Sequence, residues 1–155
     1  MSREDITLLK ESLGKEELLR TLDDGEYAKT GFNYRSQATH DAIPAIAQIY
    51  LDRGYFLEML TCLDRLADDE IFRLVYAFNR FDRCERHALD IDLKPTQAVA
   101  TISQIHRSAN WFEREVCEMF GVHFDGHQNL KRLLLPEDTD FHPLLKDFGR
   151  IEDAP

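Results

Sequence analysis

Between Ala109 and His127 the sequence ANWFEREVCEMFGVHFDGH gathers Glu113, Arg114, Glu115 and Glu118 around Cys117, His123 and His127. Three uses of such a set are chemically reasonable. Glu113, Glu115 or Glu118 beside a histidine can exchange protons as a general acid and base. His123 and His127 lie four apart, the spacing at which one helix face offers two imidazoles to zinc, with Cys117 or Asp125 as a further ligand. The same charges can also form a contact strip on a protein that performs no chemistry itself.

Spacing separates these readings. Two carboxylates on one helix do not define a substrate pocket, and no nucleophile motif accompanies them. Gly121, Phe124 and Gly126 interrupt any continuous helix through residues 121–127, so the His123–His127 interval loses its geometric meaning. His40, His87 and His106 are isolated and read as ordinary cap or strand residues. Arg114 and Glu118 are four apart and can pair, for about 0.3–0.5 kcal/mol at a surface. The contact strip is therefore the preferred reading, with no catalytic and no metal-ligating residues in the chain.

The charged stretch needs a helix to hold it. Asn110 and Glu113 have the spacing of a capping box opening a helix from about Trp111 to Phe120, and Gly121 is placed to end it. Phe112, Val116 and Met119 recur at i, i+4, i+7 and predict a core-facing side, leaving Arg114, Glu115 and Glu118 opposite. Downstream, Asp125-Gly126, Pro136 and Pro143 are turn signals around one short apolar run, Leu133 to Leu135. This predicts a mostly extended tail over 126–155 whose order comes from contacts.

Upstream lie the elements that must carry this helix. Ile6, Leu9 and Leu13, then Leu18, Leu19 and Leu22, predict one or two short helices within residues 1–25. Residues 29–39 read as loop or edge strand. A helix is expected from about Asp41 to Arg53, with Pro44 in its first turn and Gly54 at its exit. YFLEMLTCL, IFRLVYAFNRF and RHALDIDL are aromatic and β-branched strand sequences with short connectors, which predicts antiparallel pairing. In the last, His87, Leu89, Ile91 and Leu93 share one face. After Pro95 the pattern turns helical, with Val99, Ile102, Ile105 and Ala109 in register. The expected fold is α+β: a single two-layer domain over 1–155, with helices on one face of a small, mainly antiparallel sheet in a core spanning 41–125.

Composition narrows function further. A chain of 155 residues with 43% hydrophobic content can bury a core. Its formal charge of −10, from 29 acidic against 19 basic residues, argues against nucleic acid or anionic lipid held on a basic face. Cys62, Cys84 and Cys117 form no CxxC pair, so no iron–sulfur, zinc or disulfide framework is visible. The amino terminus lacks a signal-peptide core, and no segment has the roughly 20 apolar residues of a bilayer span. Any membrane attachment is expected through partners.

The stretch NWFEREVCEMFGVHFDGHQNLKRLLLPED followed by FHPLLKDF resembles the C subunit family of respiratory complex I, the NADH:quinone oxidoreductase, and its relatives in membrane-bound energy-converting hydrogenases. The matching positions are Glu113-Arg114-Glu115, Phe120-Gly121, Gly126-His127, Leu130, Arg132, Leu134, His142-Pro143-Leu144 and Lys146-Asp147-Phe148. The helix and three strands from about Asp41 follow the same order. Cys117 stands where an aromatic is common, Glu118 replaces Asp, Gln128-Asn129 replace Pro-Asp, Lys131 replaces Arg, and Phe141 replaces Gly. Leu145 stands where the pattern has Arg, which removes a bidentate carboxylate partner.

The resemblance implies a non-catalytic structural subunit of the hydrophilic arm, peripheral on the cytoplasmic face of the cell membrane, supporting electron transfer to quinone and coupled proton translocation. It implies docking on the large quinone-site subunit, or on the large subunit of a nickel-iron hydrogenase, through Glu113, Arg114, Glu115, Glu118, His127, Arg132, His142, Lys146 and Asp147. Asn110, Gly121, Gly126, Pro136 and Pro143 are expected to shape the backbone. No cofactor is expected in this chain; flavin, iron–sulfur clusters or nickel-iron would reside in partner subunits.

Overall fold

The computed structural model describes residues 19–21, 28–83 and 85–149. Among the described residues the main elements are, in chain order, β1 (Leu19–Thr21), β2 (Tyr34–Ala38), α1 (Ile43–Asp52), β3 (Tyr55–Arg65), the one-turn α2 (Leu66–Asp69), β4 (Ile71–Arg80), β5 (Arg86–Leu93), β6 (Val99–Ala100), α3 (Ala109–Phe120) and β7 (Phe124–Asp125). A five-stranded sheet has the order β1-β2-β5-β4-β3, and β6 pairs with β7 in a separate two-stranded sheet. The fold is α+β, as expected.

The β3-β4-β5 meander is antiparallel, as the short connectors require. β2 runs parallel to β5, so the sheet as a whole is mixed, and β2 is an inner strand covered on its other side by β1. Its polar residues conceal this from a reading of periodicity. Arg35 donates to Asp90 at 2.7 Å and Gln37 to Asp92 at 2.9 Å, so on the sheet's outer face they do the work that apolar contacts do within. Of the helices expected in residues 1–25, Leu19–Thr21 is instead an edge strand, and the remaining positions lie outside the described residues.

The core forms between the inner sheet face and helices α1 and α3. Strand residues Phe72, Leu74, Tyr76 and Phe78 alternate inward beside His87, Leu89, Ile91 and Leu93, and all eight are buried. α1 turns Ile43, Ile46, Ala47 and Tyr50 onto them, one i, i+3, i+4, i+7 stripe. In β3 the register shifts between Leu57 and Met59. Glu58 is the extra residue of a β-bulge, so the inward set passes from Tyr55 and Leu57 to Leu60 and Cys62. Freed from pairing, Glu58 holds Arg86 through two hydrogen bonds of 2.8 and 2.9 Å.

Residues 99–109 do not continue as a helix. Val99 and Ala100 pair with Phe124 and Asp125, and successive turns closed by Ile105 N–H to the Ile102 carbonyl and Ala109 N–H to the His106 carbonyl follow. Val99 in β6, Ile102 in a turn and Ala109 at the start of α3 are each buried, and their helix-like spacing comes from three different local structures. From 126 to 149 there is neither strand nor helix. This tail is less extended than expected, since turns at Pro136–Thr139, His142–Leu145 and Leu145–Phe148 fold it back on the domain.

Candidate functional site

The expected charged helix is present as α3, but its charges are used differently from the way spacing suggests. The residue before the helix is Ser108, with no side-chain cap bond, and the Asn110–Glu113 capping box is absent. Glu113 points into the core instead. Its carboxylate accepts the Ile102 N–H at 2.8 Å and a short hydrogen bond from the Thr101 hydroxyl. Burial is the main cause that pushes the Glu113 carboxyl up to about 7, with these two bonds opposing it.

His127 faces the same carboxylate. Its Nδ1 accepts the Asn129 N–H at 3.1 Å, which leaves the ring proton on Nε2, directed at the Asn110 carbonyl at 3.3 Å and 3.8 Å from Glu113 Oε2. Both side chains have no exposed surface. A sealed acid–imidazole contact cannot reach a substrate, so it fastens the base of the tail to α3. Gly126, at φ +79°, makes the turn that brings His127 there.

Glu118 is expected on the exposed strip beside Arg114, yet it is buried. Its two oxygens accept backbone N–H groups from Leu134 at 2.9 Å, Leu135 at 2.8 Å and Leu133 at 3.2 Å. Burial alone would raise this carboxyl, but the bonds from Leu134, Leu135 and Leu133, with the nearby Arg132 cation, bring it below the ordinary value. Arg114 turns the other way from its expected i, i+4 partner: Nε donates to the Lys131 carbonyl at 2.9 Å and Nη2 to the Arg132 carbonyl at 2.8 Å. The guanidinium also lies 5.2 Å from the Trp111 ring centre. One helix thus grips both the carbonyls and the N–H groups of residues 131–135.

Further clasps continue along the tail. The His142 ring donates through Nδ1 to the Glu118 carbonyl at 2.8 Å, and the Leu144 N–H reaches the Met119 carbonyl at 3.2 Å. These satisfy carbonyls in the last turn of α3 that otherwise lack partners. Gly121 ends the helix at φ +78°, and a Cβ there would stand 2.9 Å from His142 Nε2. Arg132 closes its own loop with a short bond to the Thr139 carbonyl. At the far end Asp64, at the end of β3, accepts the N–H of Lys146 at 2.8 Å and of Leu66 at 2.9 Å. Sequence reasoning misses that anchor; a lone aspartate closing an otherwise apolar inward row is the available signal.

The pinned tail carries apolar side chains outward. Trp111 is 59% exposed and Leu134 64%, and Phe141, Leu144 and Phe148 are also exposed. Phe141 and Phe148 stack at 5.0 Å. Glu115, Lys146 and Asp147 are exposed, as are Pro136 and the rim residue Lys131. Leu130, Leu135 and Leu145 turn inward onto the core, while Pro143 and Asn110 are half-buried.

A cavity of about 180 Å³ opens between α3 and the tail, lined by Arg114, Cys117, Glu118, Lys131, Arg132 and His142. Its thiol is not primed for attack: burial pushes Cys117 up, and the lowering effect of Arg132 does not reverse that. Among the described residues no three His, Cys, Asp or Glu groups converge in a metal-binding arrangement. The His123 ring is exposed, with Nε2 3.5 Å from Asp125 Oδ1.

Comparison with known proteins places the pinned tail in context. The family described as "Respiratory-chain NADH dehydrogenase, 30 Kd subunit" matches residues 36–153. The C subunit of the NADH-quinone oxidoreductase of Cereibacter sphaeroides is 39% identical over 89 residues, covering 57% of this chain and 44% of that protein. The C/D subunit of the Chromohalobacter salexigens NADH-quinone oxidoreductase is 34% identical over 139 residues, covering 73% of this chain and 23% of that one. The match therefore spans less than half the length of these curated relatives. The solved structure of the membrane-bound sulfane sulfur reductase, an archaeal respiratory membrane complex, shares the fold with a TM-score of 0.74 at 18% identity, covering 96% of this chain and 88% of that one.

Proposed function

The chain belongs to the family of the 30 kDa subunit of respiratory-chain NADH dehydrogenase, and from that membership we propose that it is a structural subunit of the hydrophilic arm of a complex I-type NADH:quinone oxidoreductase. In this role it performs no catalysis and holds no redox group of its own. It docks on the large quinone-site subunit and keeps that subunit's geometry, so that electron transfer to quinone and the coupled proton translocation take place in its partners. Flavin and iron–sulfur clusters belong to those partners.

The observation that carries this reading is the helix-pinned tail. Glu118 and Arg114 are spent on tail backbone and His142 on the Glu118 carbonyl of α3, and the result is a fixed set of outward apolar groups, Trp111 on α3 and Leu134, Phe141, Leu144 and Phe148 on the tail. A free monomer gains nothing from ordering such a surface, whereas a docking face gains affinity from not having to order it on binding. Glu115, Arg132, Lys146 and Asp147 supply the polar rim. Among the described residues no helix is long and apolar enough to cross a membrane; the position proposed from the family membership is peripheral, on the cytoplasmic face, reached through partner subunits.

Affinity purification of the tagged chain from its host tests the proposal. The expected result is co-purification of a large quinone-site subunit together with a flavin-bearing NADH-oxidising module. A second reading, the equivalent subunit of a membrane-bound energy-converting nickel-iron hydrogenase complex, is favoured by the fold shared with the archaeal respiratory membrane complex. Nickel in place of flavin in the purified assembly selects it. Recovery of the chain without any oxidoreductase subunit refutes both.

A further inference from the structure

The cavity between α3 and the tail gathers three cations in one place. Five arginines elsewhere in the fold meet carboxylates: Arg35 with Asp90, Arg65 with Asp69, Arg73 with Asp92, Arg80 with Asp82, Arg86 with Glu58. Around the cavity, Arg114, Lys131 and Arg132 form no ion pair within 4 Å among the described residues. The one carboxylate in the wall, Glu118, has its oxygens on three backbone N–H groups. Arg114 and Arg132 each spend N–H groups on tail carbonyls, which fixes their positions; among the described residues their remaining N–H groups and the Lys131 ammonium meet no carboxylate within 4 Å. In a chain of formal charge −10 this is a local cationic site.

Size and surroundings say what fits. A cavity of about 180 Å³ falls below the roughly 300–1,000 Å³ that holds a drug-sized ligand. Trp111, whose ring centre lies 5.2 Å from the Arg114 guanidinium, and Leu134, whose N–H is held by Glu118, are exposed apolar groups next to residues that line the cavity. A partner that covers this surface also takes three cations out of water against the single Glu118 carboxylate, whose oxygens are already held by backbone N–H groups, and an excess of buried charge is strongly unfavourable. A partner presenting only apolar groups here would therefore be rejected. One carrying a carboxylate at this point would be selected.

We propose that the cavity is a socket for an aspartate or glutamate side chain of the partner subunit, which pairs with Arg132 and Lys131 at the polar rim of the docking face. The proposal rests on the subunit reading above and assigns that interface its charge. Lys131 is the residue to test, because it offers the fold only its backbone carbonyl, and its exposed side chain can change without disturbing the clasp.

The experiment uses the intact complex purified with the full chain. Zero-length carbodiimide coupling followed by peptide mass spectrometry is expected to join the Lys131 amine to a partner Asp or Glu. K131E is expected to melt like wild type yet retain the partner roughly tenfold less well at physiological ionic strength, with K131M intermediate. The inference is overturned if K131E keeps its partner at wild-type yield. It is equally overturned if Lys131 stays uncoupled, or couples only within its own chain, while other links between the two chains form. In those cases co-purification of the wild-type chain still upholds the subunit reading. If the wild-type chain recovers no oxidoreductase subunit, both fall together.

Discussion

Replacing Glu118 by alanine removes the acceptor on which three tail N–H groups converge. A hydrogen bond to a charged group contributes about 1.5–3 kcal/mol, and three on one carboxylate do not add fully. The expected cost is about 3–5 kcal/mol if the tail must stay in place with its donors unpaired. Residues 130–140 contain neither helix nor strand and lie at the surface, so the segment can instead detach and recover its hydrogen bonds from water. Local opening therefore caps the loss, and the sheet core should survive. Amide exchange separates these outcomes. In Glu118→Ala the Leu133, Leu134 and Leu135 amides should exchange about 100-fold faster or more, which corresponds to about 3 kcal/mol, while amides in β4 and β5 keep their protection. Glu118→Gln, which retains one oxygen acceptor but directs an NH2 group at an N–H, should fall between. Because the Glu118 carboxyl lies below its ordinary value in the fold, the clasp is present above the unfolded value and is lost as pH falls through the lowered one. Unchanged exchange at Leu133–Leu135 in Glu118→Ala would refute the claim that this side chain holds the tail.

Other perturbations separate the remaining parts of the site. Glu113, raised from 4.5 to about 7 by burial, stabilises the fold most below pH 4.5 and loses that contribution as pH rises through 7, about 3 kcal/mol at 1.36 kcal/mol per pH unit; urea unfolding of Glu113→Gln should lack this downward slope relative to wild type. His87 is held between the Tyr50 hydroxyl at 2.5 Å and the Ser36 hydroxyl at 3.0 Å, and burial lowers it to about 3, so its NMR ring signals should not titrate between pH 5 and 8. Gly121→Ala combines strain at φ +78° with a contact at 2.9 Å to His142, and should lower stability by about 1–3 kcal/mol while raising exchange at the Leu144 amide. Glu115→Ala, which alters an exposed residue, should leave the melting temperature of the chain unchanged and reduce recovery of the partner subunit; Arg132→Ala should reduce recovery too, but with a loss of tail protection from the broken Thr139 bond.

The sheet and its core are legible in the sequence because the residues that form them obey one constraint each. His87, Leu89, Ile91 and Leu93 alternate, and they are all buried; Ile43, Ile46, Ala47 and Tyr50 repeat at helical spacing, and they face the sheet. β2 escapes because its outward residues satisfy Asp90 and Asp92 by charge and hydrogen bonding, which leaves no apolar alternation to detect. The turns of 101–108 mislead because three buried positions spaced by chance like a helix do not specify the bonds between them. The site divides in the same way. Gly121 and Gly126 are readable as stop and turn, since a positive φ leaves a mark on residue choice. The destinations of Glu113 and Glu118 are not readable, because a carboxylate paired with backbone N–H groups leaves no complementary charge in the sequence.

That last point explains how a run of ionisable residues can serve structure instead of chemistry. An ordered tail without strands or helices has many backbone groups and no ladder to satisfy them. Side chains must do so, and charged ones make the stronger bonds. Arg114 serves carbonyls, Glu118 serves N–H groups, and His142 closes the last turn of α3. The same three residue types that suggest acid–base catalysis therefore suit the shaping of an irregular tail, the surface proposed above for docking. The distinction is testable residue by residue: substitutions at Glu118 and His142 should act through the tail's order, whereas Lys131, which lends the fold only its backbone carbonyl, should act on the partner alone.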